Sequence, residues 1–451
     1  MFGLDAGTAP TWADLGSPSP ATIMVAGLAV LDGSLYAATW EGPPTERGHV
    51  YRLEGEAWTD CGSPWDCNAV TRLAVHDGGL FAGVSRLRGG GSGLPDSANQ
   101  GPGGRIFRYR GGQDWTDLGR LGEADSVAGL VPFGDELYAI PMYTEGLYRL
   151  VEPGRWEWCG SPGRRLLALG IHGGALYGAG NDHADVASAI ALTAAGIVVP
   201  PRSPEGGGGI FRYEGGTSWT SLGLQPDTTQ VYSIETYNGE MHVWTWPNGI
   251  VYRRGPDSEW RSCGRLGEET EVMNLLAFNG LLYAGTLPRA QVFRMDGPRA
   301  WTEVGRLDRT PDVLYRRAAS MAIHRGRLVV GTLPSGHVQA MRVGQAISSG
   351  RAVPPGDHHV AAVRRGPTLK LYLDGALVAS ERDPAATVLD LGKLPTLMSG
   401  RGPRAPFAGD VTDPIIHRRA MDASEIVRLA GAGLPAAKGA GPAAPHGTAG
   451  G

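Results

Sequence analysis

One phrase recurs seven times in the first 305 residues: Trp, two variable residues, a small or apolar residue, then Gly. It begins at Trp12, Trp58, Trp115, Trp156, Trp219, Trp260 and Trp301, with gaps of 46, 57, 41, 63, 41 and 41 residues. A base period of 41 with three expanded units is the mark of a repeat architecture, in which each unit completes its core against its neighbours. A chain of 451 residues is long enough for one large array with a further module.

Each period carries four strand signals. An apolar run such as VAGLAVLDG or YSIETYNG ends in a Gly-containing turn, and a second run follows, such as LYAATW or MHVWTW. Asp-Gly and Asn-Gly between apolar runs mark tight hairpins, because Gly accepts the positive φ they need. A third run has an aromatic followed by Arg, as in RIFRYRG and GIFRYEG, and the Trp phrase is the fourth. Four short strands per unit with no helical period predict an all-β propeller. Hairpins and Trp strands both number seven but are out of phase, since Trp12 precedes the first hairpin. The simplest arrangement lets the strand around Trp12 complete the last blade, so that no sheet edge is left open. A seven-bladed β-propeller over residues 1–344, closed by the N-terminal strand, is therefore expected, with six or eight blades as the alternatives. If Trp12 is fully buried there, its replacement by Ala should cost about 3–5 kcal/mol.

The layout of Gly turn, Leu-Tyr strand, aromatic third strand and late Trp resembles a kelch-like propeller. The Gly-Gly doublet usual at the end of the second strand is replaced by AAT, AGV, AGT or VGT. The recurring Arg52, Arg108, Arg149, Arg212, Arg253 and Arg294 read as structural cations, stacking on a neighbouring Trp or bonding a loop carbonyl. Cys61, Cys159 and Cys263 share one slot with Leu15, Leu118, Leu222 and Val304, so they read as small core residues. Only Cys61 with Cys67 is close enough in sequence to weigh as a disulfide.

Beyond residue 344 the Trp phrase stops. The runs DHHVAAVRRGPTLKLYLDGALVAS and FAGDVTDPIIHRRAMDASEIVRLAG resemble the second half of a laminin-G-like, concanavalin A-type jelly roll. The matching positions are His358, His359, Val360, Leu371, Tyr372, Asp374, Gly375, Phe407, Gly409, Arg419, Ala420, Glu425 and Ile426. His358-His359 reads as a strand pair, one side chain in and one out. A half jelly roll over 345–433 exposes an apolar face, which predicts packing against the propeller. The Ala/Gly/Pro-rich tail 434–451 is expected to be disordered.

Net charge is −4 with no block of like charge, which argues against a nucleic-acid partner. No apolar run is long enough to span a membrane, and the N-terminus has no secretory pattern. Location is open, with an extracellular or cell-surface setting favoured by domain type, and the chain is expected to be a monomer. Long insertions between strands two and three, at SRLRGGGSGLPDSANQGPGG and NDHADVASAIALTAAGIVVPPRSPEGGGG, mark one loop-rich face. Polar and aromatic residues at the ends of second strands or in these loops are the candidate ligand-binding set: Trp40, Glu41, Tyr143, Glu145, Asn181, Asp182, His183, Trp246, Asn248, Arg289 and His337. Rings beside carboxylates and amides suit a sugar, whose C–H face stacks while its hydroxyls need directed partners. The leading reading is a non-catalytic protein that binds a carbohydrate or a surface protein. No catalytic residue, metal site or cofactor is assigned, and a Ca²⁺ site in the jelly-roll module has no support in the residues. The alternative is a carbohydrate-active enzyme, which calls for two carboxyls across the scissile bond, with Asp182 or Asp185 facing Glu41 or Glu145.

Overall fold

The computed structural model describes residues 2–4, 10–87, 93–181, 209–224, 230–278, 281–342, 345–347, 356–382 and 419–433, with a few isolated positions besides. Most of the chain is an all-β propeller. Its described strands group into seven antiparallel units of four. The innermost strands are Thr22–Leu31, Ala69–His76, Val127–Phe133, Arg165–His172, Gln230–Tyr237, Glu271–Phe278 and Arg317–His324. They open the seven four-stranded units in chain order, and each unit is termed a blade. Single residue pairs, Trp40 with Ala69 and Asn181 with Gln230, join blade one to two and blade four to five.

The expected hairpin turns are present. Asp32-Gly33 and Asn238-Gly239 each take two positive φ angles, 48° and 76° in the first, 51° and 77° in the second. Each blade buries its faces against its neighbours, so apolar clusters alternate around the array.

The recurring Trp has one bonding role. In each case its indole N–H donates to the carbonyl of the apolar slot in another copy of the phrase. Trp58 donates to Leu15 (2.9 Å), Trp115 to Cys61 (2.8 Å), Trp156 to Leu118 (2.7 Å) and Trp219 to Cys159 (3.3 Å). Trp260 donates to Leu222 (3.0 Å) and Trp301 to Cys263 (2.8 Å). Trp12 donates to Val304 (2.8 Å). Because the acceptor is backbone, the slot tolerates Leu, Cys or Val.

The strand Thr11–Asp14 pairs with Val338–Arg342 of the last blade, with Trp12 opposite Met341. Trp12 itself is half-buried. The first and last blades also touch directly. Ser320 Oγ donates to the Val25 carbonyl at 2.7 Å, and His324 Nε2 lies 3.1 Å from the Gly33 carbonyl oxygen.

A second device recurs at the ends of second strands. Thr39, Thr245, Thr286 and Thr332 donate their hydroxyls across the following loop to the carbonyls of His49, Ile250, Gln291 and His337, at 3.0–3.1 Å. The repeated arginines are structural, with different partners from those expected. Arg52, Arg149, Arg212, Arg253 and Arg294 meet Glu54, Glu136 and Glu157, Glu214, Glu240, and Asp296. Arg108 lies 5.6 Å over the Phe81 ring. Carboxylates two residues on in the same strand (Glu54, Glu214, Asp296) or on neighbouring strands (Glu136, Glu157, Glu240), not Trp faces, neutralise most of them. All four cysteines are buried free thiols, so Cys61 and Cys67 are not bridged.

After the last blade, Gln345–Ile347 pairs with Phe2–Leu4 and lies against a separate sheet. That sheet is a three-stranded meander of Val360–Arg365, Thr368–Leu373 and Ala376–Arg382. Arg342 reaches Glu381 at 3.8 Å. The segment ending in ASEIVRLAG is a helix, Ala423–Gly433, which the jelly-roll reading did not anticipate. It buries Ile426 and Ala430 and packs Val427 against Gly375. Asp422 and Glu425 bond each other's backbone N–H at 2.8 Å, a reciprocal cap that starts the helix. His358 and His359 precede the strand instead of lying in it. His358 Nδ1 is 2.7 Å from Asp374 Oδ2, clasping the hairpin turn. Phe407, Gly409 and the predicted tail lie outside the described residues.

Candidate functional site

Every innermost strand breaks register near its first residues, for example between Val70 and Arg72 and between Val231 and Ser233, and the strand Thr22–Leu31 does so twice. Such a bulge leaves one residue unpaired and re-aims it. The skipped residues are Ala26, Thr71, Ala128, Leu167, Tyr232, Met273 and Ala319. The residue two before each bulge completes a second ring of positions: Met24, Ala69, Ser126, Arg165, Gln230, Glu271 and Arg317. The residue between the two rings packs between blades, as Val25, Val231 and Val272 do. These rings lie at the ends of the innermost strands next to the blade-two insertion, a region termed the mouth.

The mouth has two unlike sides. On one, Met24, Ala26, Trp40, Ala69, Ala319 and Leu333 form a buried apolar cluster drawn from blades one, two and seven. Leu94, from the blade-two insertion, and Met142 and Tyr143, from the loop after blade three's second strand, pack on it. The insertion is pinned where it returns. Glu46 accepts from Ser97 Oγ at 2.7 Å and from the Asn99 backbone at 3.0 Å, and these bonds hold its carboxyl below the usual range. A Cβ at Gly93 would meet Leu314 at 3.0 Å, so this strap reaches the loop before blade seven.

The other side is polar. Arg165, Tyr232, Glu271 and Arg317 come from four consecutive innermost strands. Arg165 is only 7 % exposed and Glu271 6 %. The Arg165 guanidinium carbon lies 5.9 Å from the Tyr143 ring centre, and that of Arg317 5.9 Å from the Tyr315 ring centre. Arg165 Nη1 donates to the Met142 carbonyl at 2.6 Å, while its buried Nε has no hydrogen-bond partner among the described residues. Burial pulls its pKa down to about 10, so it stays cationic at neutral pH. Burial pushes the Glu271 carboxyl up to about 7, against the opposing pull of Arg317 and the Tyr232 hydroxyl. Burial, followed by the Glu271 charge, raises Tyr232 well above its ordinary value.

The eleven sequence candidates divide accordingly. Trp40 and Tyr143 are at the mouth, and Asn181 is the buried strand partner of Arg165. Glu41, 3 % exposed, accepts from Ser19 Oγ (3.1 Å) and Tyr51 OH (2.9 Å), with Thr39 Oγ1 at 3.1 Å and His49 Nδ1 at 3.3 Å. That carboxylate is committed to holding blade one together. Glu145 accepts from Ser161 Oγ at 2.7 Å. Arg289 is neutralised by Glu268, and His337 Nδ1 meets Asp14 Oδ2 at 2.8 Å on the last blade. Trp246 is buried and Asn248 half-buried near blade five's second strand. Asp182, His183 and Asp185 lie outside the described residues. Among the described residues no group of three His, Cys, Asp or Glu side chains converges to hold a metal. No helix among them is long and apolar enough to cross a membrane.

Sequence reasoning missed Arg165, Tyr232, Glu271 and Arg317. The available signal was a charge immediately before the apolar run in RLLALGIH, EVMNLLAF and RAASMAIH.

Residues 299–427 match the concanavalin A-like lectin/glucanases superfamily. The match begins within the propeller strands and ends inside the Ala423–Gly433 helix. No curated protein matches the sequence significantly. Among solved structures, a streptogramin B lyase aligns at 11 % identity and a TM-score of 0.55, covering 74 % of this chain and 98 % of that one. A catalytically inactive virginiamycin B lyase from Staphylococcus aureus with quinupristin aligns at 11 % identity and a TM-score of 0.54, covering 74 % and 99 %. At such identities the likeness shows the fold alone. The chain is a β-propeller followed by a segment similar to the concanavalin A-like superfamily.

Proposed function

We propose that this chain is a binding protein that takes a carbohydrate, free or on a surface protein, at the axial mouth. The reading takes the seven units as blades of one closed ring, with residues 1–344 as propeller and 345–433 as an attached lectin-like module. The Trp12–Val304 bond and the contacts between first and last blades support the ring.

The observation that carries the function is the two-sided mouth. Tyr143 offers a ring on the apolar side, while Tyr232, Glu271, Arg165 and Arg317 offer directed polar partners. A pyranose has the matching pair of surfaces. Catalysis by paired carboxylates has less support. It needs two carboxyls about 5–10 Å apart across the bond. Among the described residues the mouth supplies Glu271, and Glu41 is already spent on blade one.

Calorimetric titration of the full chain with a panel of neutral and acidic di- to hexasaccharides tests this reading. Saturable binding that weakens roughly tenfold in Tyr143→Ala, the loss of one stacking ring, is expected. No saturable saccharide would overturn it, as would binding unaffected by Tyr143→Ala and Tyr232→Ala.

A further inference from the structure

The two arginines at the mouth are not equivalent. Arg317 faces Glu271, whose charge acts on it directly. Arg165 has no such partner: no carboxylate among the described residues lies within ion-pair distance of it. It is more than nine-tenths buried, gives one bond to a backbone carbonyl and has a buried Nε–H with no acceptor among the described residues. A buried cation is tolerated when it is paired, because removing it from water costs several kcal/mol. Among the described residues, the protein supplies part of the hydrogen bonding and none of the counter-charge. Arg is also the side chain whose planar fork matches an oxyanion with two parallel N–H bonds.

We propose that the ligand of the mouth is an acidic saccharide whose oxyanion pairs with Arg165, with Arg317 as a second cation across the opening. This deepens the carbohydrate reading and rests on it. The oxyanion is a uronate carboxylate or a sulfate ester, which share the charge and the bidentate geometry. Tyr143, already against the Arg165 guanidinium, then stacks the ring that bears the anion. Glu271 lies across from the anion site, where a carboxyl half-protonated near neutral pH donates to or accepts from a sugar hydroxyl.

The test compares three tetrasaccharides of one backbone on the full chain: neutral, uronate-bearing and sulfated. A charged form is expected to bind at least tenfold more tightly than the neutral one, and its identity separates carboxylate from sulfate. In Arg165→Met that preference is expected to vanish while the melting temperature holds or rises, because an uncompensated buried charge has been removed. Arg165→Lys should keep part of the preference, since it keeps the charge without the fork. Equal binding of all three forms, or a preference that survives Arg165→Met, overturns the anion site but leaves the carbohydrate reading standing. Absence of binding by every form overturns both.

Discussion

At the scale of single residues, the mouth shows why function was harder to read than fold. A charge flanking an apolar run ordinarily marks where a strand meets water. Arg165, Glu271 and Arg317 carry that signature, yet 106 residues separate Arg165 from Glu271 and 46 separate Glu271 from Arg317. Only the convergence of inner strands brings them together. Candidates drawn from the ends of second strands lie one strand further out, apart from Trp40 and Tyr143, which pack at the mouth. The buried Glu271 also makes a testable demand on stability. Its carboxyl is raised in the folded state to about 7 from an ordinary 4.5. The folded protein therefore holds a proton that the unfolded chain releases, so stability is highest below about pH 4.5 for this group and falls as pH rises through 7. Full expression of the shift is worth about 3 kcal/mol. Thermal melts of wild type and Glu271→Gln between pH 5 and 8 should show wild type losing ground steadily, with the variant lacking that component. Parallel curves would mean that the carboxyl ionises as freely in the fold as in water.

At the scale of elements, the Trp phrase was legible as a period and as a strand, but its partner was not. Nothing in the letters says that the indole N–H seeks a carbonyl in another copy of the phrase. That bond explains why the Trp is fixed while the slot drifts among Leu, Cys and Val. It also sets an expectation: Trp260→Phe and Trp12→Phe should lose similar stability, about 1–3 kcal/mol each by urea unfolding. Trp12 is separated from its acceptor by 292 residues and Trp260 by 38. Equal losses would show that chain distance does not matter once the strands are paired, whereas a negligible loss for Trp12 alone would mark its strand as loosely held. The C-terminal helix was missed despite a local signal. Asp422-Ala-Ser-Glu425 before an apolar run is a reciprocal cap written in the sequence. The jelly-roll resemblance, a pattern of strands, outweighed it.

At the scale of the whole molecule, the question is what holds the last blade. Its own three strands, Arg317–His324, Arg327–Leu333 and Val338–Arg342, would leave Val338–Arg342 as an open edge. The buried Val338, Ala340 and Met341 lie on that strand. An edge of this kind is a template for association with other chains. Thr11–Asp14 covers it and adds the Trp12–Val304 bond and the His337–Asp14 contact. Two truncations separate this role from that of the ribbon at Phe2–Leu4. Removing residues 1–9 leaves the covering strand in place and should move the melting temperature little. Removing residues 1–16 should lower it by roughly 5–15 °C, if the lost strand is worth several kcal/mol in an array of this size. The longer truncation should also expose blade seven to limited proteolysis and promote concentration-dependent association, read by light scattering. Matching melting temperatures and proteolysis patterns for the two truncations would mean that the N-terminal strand does not hold the ring, and the rigid mouth proposed here would lose the closure that keeps Arg317 across from Arg165.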